Sequence, residues 1–249
     1  MELFLDISDC KCLVTGSAKR LGKALVSAFA EKGADVIVHY RNSKKEAMDV
    51  VNSARGYRGS ANAIRADLEE PAQAIRLVED AIKAMDGLNV LINSASVFDR
   101  QGFIDTDLDT WNRNLAVNLT APFVLSREFA RHLISNGEKG IILNMLDWRA
   151  LRPGRQDFAY TIAKSGLAAM TKGLAKILAP KIRVNGLALG PVLPPEGSGE
   201  KDYQRILEMV PKKRACTIEE LVESALFLVA GPDYITGEIL NLDGGRNLI

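Results

Sequence analysis

Tyr160 and Lys164 stand four residues apart in a helix-periodic stretch, Phe158–Ala179, so both side chains share one helix face. A lysine cation beside a phenol favours phenolate and would draw the tyrosine pKa from about 10 towards neutrality. Such a tyrosine can deliver a proton to an atom that receives a hydride's electrons. Tyr-x-x-x-Lys is common in helices, however, and alone establishes no catalysis. A second candidate is Thr15-Gly16-Ser17-Ala18-Lys19-Arg20-Leu21-Gly22. A glycine turn between strand and helix lets backbone N–H groups and the helix dipole face a pyrophosphate, although Gly16 and Gly22 would also serve plain packing. The third is the end of the second strand, His39-Tyr40-Arg41-Asn42-Ser43. A carboxylate there would grip a free ribose 2′-hydroxyl, whereas a cation accommodates a 2′-phosphate. With no acid at that point, and Lys19 and Arg20 adding charge, the residues favour NADPH over NADH; the alternative is a solvated basic patch.

Short β-rich apolar runs alternate with helical stretches along the chain, the pattern of βαβ units and a parallel sheet. Strands are predicted at Lys11–Thr15, Ala34–Tyr40, Ala61–Ala66, Val90–Asn93, Gly140–Met145, Ile182–Leu189 and Glu238–Leu242. Helices are predicted at Leu21–Lys32, Lys44–Arg55, Gln73–Met85, Leu108–Ile134, Phe158–Ala179 and Thr217–Val229, with Pro122 marking a junction inside the fourth. Asp67 with Leu68, and Asn93, follow the third and fourth strands at carboxyl ends, where cofactor contacts are expected, though lone Asp and Asn residues often only form turns. Gly190–Lys201, rich in proline and glycine, reads as a loop beyond the sixth strand, either an ordinary surface loop or a substrate lid. No repeat or linker divides the chain, so one α/β domain over residues 1–249 is expected.

Thirty-two basic against 31 acidic residues leave a formal charge of +1, which gives no bulk field for nucleic acid or an anionic membrane. No apolar run is long enough to span a bilayer, and Glu2 and Asp6 among the first apolar residues argue against a secretory leader. Cys10, Cys12 and Cys216 lack metal or redox spacing; the first two read as small apolar residues on one face of a strand start. A reducing cytoplasm fits that usage. His39 and His132 are the only histidines and no ligand cluster surrounds either, so no metal site is expected.

Taken in order, Thr-Gly-x-x-x-x-x-Gly, Asp67, Asn93-Ser94-Ala95-Ser96, Asn118, Tyr160-x-x-x-Lys164, Arg183-Val184-Asn185, Tyr234-Ile235-Thr236-Gly237 and Asp243-Gly244-Gly245 resemble the short-chain dehydrogenase/reductase family nearly end to end. The resemblance implies a seven-stranded, doubly wound Rossmann-type parallel sheet with helices on both faces, a nicotinamide cofactor and a homotetramer. It implies that Tyr160 is the acid, that Lys164 binds the nicotinamide ribose and tunes Tyr160, and that Asn118 positions a proton-relay water. Cofactor contacts would extend to Ser94, Ala95 and Gly190.

Departures from the family pattern are equally informative. Arg20 replaces the middle glycine of the first turn, Ser94 and Ser96 replace Asn and Gly, and Leu189-Gly190 replaces Pro-Gly. Asp147, thirteen residues before Tyr160, occupies the usual catalytic serine position. These changes resemble the pteridine reductase branch. By that resemblance Phe98 would stack on a pterin, Arg20 would contact cofactor phosphate and pterin, and Ser96 would hydrogen-bond nearby. Asp147 beside the tyrosine suits reduction of a ring C=N bond, where a proton must reach nitrogen, or else it merely caps a turn near Trp148. Arg149, Arg152 and Arg155 would accept an anionic substrate tail, or face solvent or a neighbouring subunit. The rival activities are an ordinary carbonyl, alcohol or 3-oxoacyl thioester oxidoreductase and a nucleotide-binding regulator without turnover.

Overall fold

The computed structural model describes residues 5–249 except 155, 196 and 198, so Glu2 and Arg155 lie outside the described residues. Seven strands form one parallel sheet: β1 Lys11–Val14, β2 Asp35–Tyr40, β3 Ala61–Arg65, β4 Val90–Asn93, β5 Gly140–Asp147, β6 Ile182–Leu189 and β7 Ile239–Leu242. Their spatial order is β3-β2-β1-β4-β5-β6-β7. The order reverses between β1 and β4, which leaves a crevice at the carboxyl ends of the strands.

Alternation along the strands sends side chains to both faces of the sheet. Cys12 and Val14 of β1, with Val36 and Val38 of β2, pack against Leu25, Val26 and Phe29 of α1 (Arg20–Glu31) and against Val50 and Val51 of α2 (Lys44–Ala54). Leu221 and Leu228 of α8 (Ile218–Ala230) complete that face. Leu13, Ile37 and Leu91 point the other way. They meet Leu77 and Val78 of α3 (Pro71–Met85) and Leu125, Phe129 and Leu133 of α5 (Ala121–Asn136). Each fully buried Leu, Ile or Phe contributes about 1.5–3 kcal/mol, so both faces must be covered for the sheet to persist. Cys10 and Cys12 belong to the first core, and burial pushes the Cys10 thiol up to about 12.

Two regions differ from the sequence expectation. The continuous helix predicted over Leu108–Ile134 is α4 (Leu108–Leu115), a π-turn at Ala116–Thr120, and α5. Pro122, which has no N–H to donate, lies just after the widened turn, and that turn carries Asn118. The Gly190–Lys201 stretch gives way at Glu200 to a helix not foreseen from sequence, α7 (Glu200–Glu208). α6 (Phe158–Leu178) presents Tyr160 and Lys164 from its first two turns. Among the described residues, no helix is long and apolar enough to cross a membrane.

Gly22 lies in the first turn of α1, and a Cβ there would overlap the Gly16 carbonyl oxygen. Gly→Ala within a helix ordinarily gains about 1 kcal/mol. Gly22→Ala is instead expected to destabilise by about 1–3 kcal/mol through overpacking against backbone. Urea unfolding checks the sign; a raised midpoint would show that the turn yields.

Candidate active site

The glycine turn is fixed by three neighbouring strands. Thr15 Oγ1 accepts the backbone N–H groups of Ser94 at 2.9 Å and Ala95 at 3.0 Å, holding the loop after β4 against the turn. Gly16 has φ +64°, and a Cβ there would come within 2.8 Å of the Ala95 Cα, so the close approach needs glycine. Its N–H donates to His39 Nδ1 at 2.9 Å, which leaves the ring proton on Nε2, 3.1 Å from the Ala66 carbonyl. His39 thus joins the end of β2 to the turn after β1 and to the residue after β3. Burial pushes its pKa down to about 4, so it is neutral at physiological pH. The sequence showed His39 only as part of the run that ends the second strand; its bracing role comes from contacts distant in the chain.

At the start of α1, Arg20 adopts φ +52°, a left-handed conformation that costs a non-glycine residue roughly 1–2 kcal/mol. Its guanidinium donates to the Pro194 carbonyl at 2.8 Å, tying the turn to the segment after β6. Lys19 pairs with Glu46 at 2.7 Å and Arg41 with Glu69 at 2.6 Å. All four side chains are about one-third to one-half exposed, and such pairs contribute about 0–1 kcal/mol, so an incoming phosphate can replace the carboxylates. Lys19, Arg20, Leu21, Gly22, Arg41, Asp67 and Leu68 line this end of the cleft, whereas Tyr40, Asn42 and Ser43 lie outside its lining.

At the other end, β5 delivers Asp147 opposite Tyr160. The Tyr160 hydroxyl donates to Asp147 Oδ2 at 3.3 Å. Asp147 Oδ1 accepts the Arg149 N–H at 2.8 Å, so Asp147 both caps the short turn Trp148–Ala150 and reaches the tyrosine. Lys164 Nζ donates to the Met145 carbonyl at 2.8 Å and lies 5.8 Å from the Tyr160 ring centre. Burial, reinforced by the Asp147 charge, holds the Tyr160 phenol well above its ordinary range. That corrects the sequence expectation of a phenol drawn down by lysine: here burial also pushes Lys164 down, to about 8, and the charge acting most on the phenol is the Asp147 carboxylate. Phe98 stands edge-on to Tyr160 with ring centres 4.7 Å apart and is partly exposed to the cleft.

Asn118, on the π-turn, lies beneath the cleft lining. Its Oδ1 accepts from Ser96 Oγ at 2.7 Å and from the Val97 N–H at 3.2 Å, and its Nδ2 donates to the Val97 carbonyl at 2.9 Å. Asn118 therefore fixes the segment carrying Ser96 and Phe98. Asn93 is likewise buried below the surface and donates to Asn144 Oδ1 at 2.8 Å.

These groups surround one cleft of about 540 Å³. Gly16, Ser94, Ala95, Ser96, Phe98, Asp147, Tyr160, Lys164 and Gly190 all line it. Arg149 does too, but Arg152 does not; its guanidinium donates to the Asn247 carbonyl at 3.2 Å. Sequence reasoning missed the far wall, where α7 contributes Tyr203 and Ile206, followed by Met209, and the C-terminal segment contributes Arg246. The amphipathic spacing of Tyr203 and Ile206 was the available signal. Among the described residues no group of His, Cys, Asp or Glu is placed to hold a metal ion.

A doubly wound sheet with a glycine turn at its reversal point, and a Tyr–Lys pair across the crevice, defines a nucleotide-binding α/β protein equipped for proton transfer. Comparison with known proteins gives the family. Residues 16–247 match the family profile described as enoyl-(acyl carrier protein) reductase. The short chain dehydrogenase/reductase dpchG of Colletotrichum higginsianum is 34% identical over 94% of this chain and 92% of its own length. Glucose 1-dehydrogenase 2 of Bacillus subtilis is 28% identical over 99% of this chain and 98% of its own length. The crystal structure of FolM alternative dihydrofolate reductase 1 from Brucella suis, in complex with NADP, superposes with a TM-score of 0.91 at 34% identity, covering 98% of this chain and 97% of that one. This chain belongs to the short-chain dehydrogenase/reductase family.

The buried His39 has a pH consequence. Its pKa is about 4 when folded against an ordinary 6.5, so the unfolded chain binds the extra proton between those values. Stability from this residue is complete above pH 6.5 and is lost as pH falls towards 4, by roughly 3 kcal/mol in all. Denaturant unfolding across that window is expected to show a drop in the native protein that is absent from His39→Asn. Parallel curves for the two proteins would mean that His39 is protonated at no cost.

Proposed function

We propose that this protein is an NADPH-dependent reductase of a pterin or dihydropteridine-like heterocycle, acting on a ring C=N bond. The observation that carries the reading is the Tyr160–Asp147 hydrogen bond, with the Phe98 ring edge-on beside it at the cleft surface. The likeness to FolM alternative dihydrofolate reductase 1 supports it.

The residues fit a dinucleotide phosphate. Gly16 leaves no Cβ at the closest approach of turn and β4 loop, α1 begins at the crevice, and the end of β2 carries Arg41 rather than an acid. Lys19, Arg20 and Arg41 would hold the phosphates, with Tyr40, Asn42 and Ser43 completing the 2′-phosphate surroundings. Asp67, Leu68, Ser94, Ala95 and Gly190 would flank the remainder, with Asn93 supporting them from below, and Lys164 would hold the nicotinamide ribose. When bound, the cofactor supplies the hydride.

Tyr160 supplies the proton. Hydride addition to the ring carbon places an electron pair on nitrogen, and a nitrogen anion is a far stronger base than a phenolate. Proton transfer from Tyr160 Oη to that nitrogen therefore remains downhill even with the phenol held above its ordinary range. Asp147 orients the hydroxyl and, because its charge opposes phenolate, speeds reprotonation from water. A developing alkoxide is held by a neutral hydrogen-bond donor, which a carboxylate cannot be, whereas a ring nitrogen needs its proton delivered, which the Asp147-oriented Tyr160 hydroxyl can do. Phe98 would stack on the heterocycle, with Arg20 and Ser96 at its edge. Asn118, by fixing Ser96 and Val97, keeps that face in place and would anchor a relay water.

The reading extends to one domain assembled as a cytoplasmic homotetramer, as the family resemblance implies. Exposed Phe123, Ile134 and Ile177 on α5 and α6 support assembly.

The test is NADPH oxidation with dihydrobiopterin, dihydrofolate and an acetoacetyl thioester. Turnover is expected with the pterins, lowered about 10²–10⁴-fold in kcat by Tyr160→Phe. Turnover with the thioester alone would overturn the heterocycle assignment and leave a carbonyl reductase in which Asp147 replaces serine without a role of its own. Unchanged turnover in Tyr160→Phe would overturn the proton-donor role.

A further inference from the structure

The reacting end of the cleft carries more positive charge than proton transfer requires. Guanidinium groups and aromatic rings alternate along its wall. Arg100 Cζ lies 5.7 Å from the Phe98 ring centre, and Arg149 Cζ lies 5.7 Å from the same ring. Arg149 Cζ is also 5.0 Å from the Trp148 ring, with Arg246 Cζ 4.7 Å from it. All five side chains line the cleft. Arg149 is neutralised by Asp147 at 3.2 Å and Asp157 at 3.4 Å.

Arg100 and Arg246 are different. Among the described residues, neither forms an ion pair: Asp157, whose charge reaches Arg100, is paired with Arg149, and Asp243 is engaged by backbone. Asp243, nearest to Arg246, accepts the N–H groups of Gly245 at 2.9 Å and Asn247 at 2.8 Å. Arg246 Nη2 has only the Met209 sulfur at 3.6 Å, a weak acceptor. Burial and repulsion from Arg149 and Arg152 push the Arg246 guanidinium below its ordinary range, with Asp243 offsetting part of this. A chain of net charge +1 thus places two guanidinium groups outside ion pairs at one cavity. An incoming anion relieves that repulsion, and a guanidinium fork matches a carboxylate or phosphate with two parallel hydrogen bonds.

We propose that Arg246 and Arg100, carried on Trp148 and Phe98, form a subsite for an anionic tail, so that the preferred heterocycle bears a carboxylate or phosphate beyond its ring. This rests on the heterocycle reading above and names the substrate class within it.

The experiment compares NADPH-dependent reduction of three substrates: dihydrobiopterin, whose side chain is neutral; dihydrofolate, with a carboxylate tail; and a dihydropterin with a phosphorylated side chain. Each is measured with the native protein, Arg246→Gln and Arg100→Gln. At low salt, kcat/KM for one or both tailed substrates is expected to exceed that for dihydrobiopterin about tenfold, through KM. Added salt narrows the gap, and Arg246→Gln removes most of it. Which tailed substrate responds distinguishes carboxylate from phosphate. Equal kcat/KM for all three substrates, or an equal fall for all three in Arg246→Gln, would overturn the subsite and leave the heterocycle reading intact. A changed oligomeric state in Arg246→Gln with the substrate preference retained would assign the arginine to a contact with a second copy and also overturn the subsite. Turnover of the acetoacetyl thioester with none of the pterins would overturn the heterocycle reading, and this inference with it.

Discussion

A phenol buried against a carboxylate can lower its energy in one way only, by keeping its proton and donating it in a hydrogen bond. Tyr160 is in that position: seven-hundredths of its surface remains exposed, and its hydroxyl meets Asp147 at 3.3 Å. Much of the surrounding architecture serves that pairing. β5 runs two residues further than its apolar pattern suggested and ends on Asp147. α6 begins at Phe158, so Tyr160 enters at its first turn and Lys164 one turn later. Arg149 bridges Asp147 to Asp157 and donates to both Asp147 oxygens, which holds the carboxylate in place.

The nucleotide end is built on an opposite principle, backbone held rigid and side-chain charges held loosely. Thr15 and His39, both buried, fix the glycine turn through hydrogen bonds to its backbone and to the loop after β4. Lys19 and Arg41, by contrast, sit in exposed pairs that exchange partners at little cost. Arg20 belongs to both: its strained backbone is part of the turn, and its guanidinium reaches the segment after β6. A residue at positive φ that is not glycine persists where its side chain is needed at that point.

The sheet was legible in the sequence because parallel strands buried on both faces must be near-continuous apolar runs bounded by glycine or charge. Helix positions followed from the same alternation, and Asp147, Tyr160, Lys164 and Phe98 could be placed because their spacing matches a known pattern. What escaped depends on long-range geometry. The π-turn at Ala116–Thr120 escaped because α4 before it is polar and buries only Asn114, so there was no apolar stripe whose phase could be seen to shift. α7 is polar and buries no residue fully, so its Pro- and Gly-rich approach masked it. The pairs Lys19–Glu46 and Arg41–Glu69 and the His39 brace join residues more than twenty apart, and no local pattern reports them. The Tyr160 environment was misjudged for a related reason: an i, i+4 lysine is visible in a sequence, whereas burial and a carboxylate thirteen residues upstream outweigh it only once the chain is folded.

Burial and Asp147 together keep Tyr160 a neutral phenol. The measurement to make is spectrophotometric titration of tyrosine ionisation, taken as the difference between the native protein and Tyr160→Phe. The expected result is no phenolate from Tyr160 between pH 7 and about 10, the ordinary tyrosine value. A phenolate signal appearing near pH 8 would contradict it and return control of the proton to Lys164.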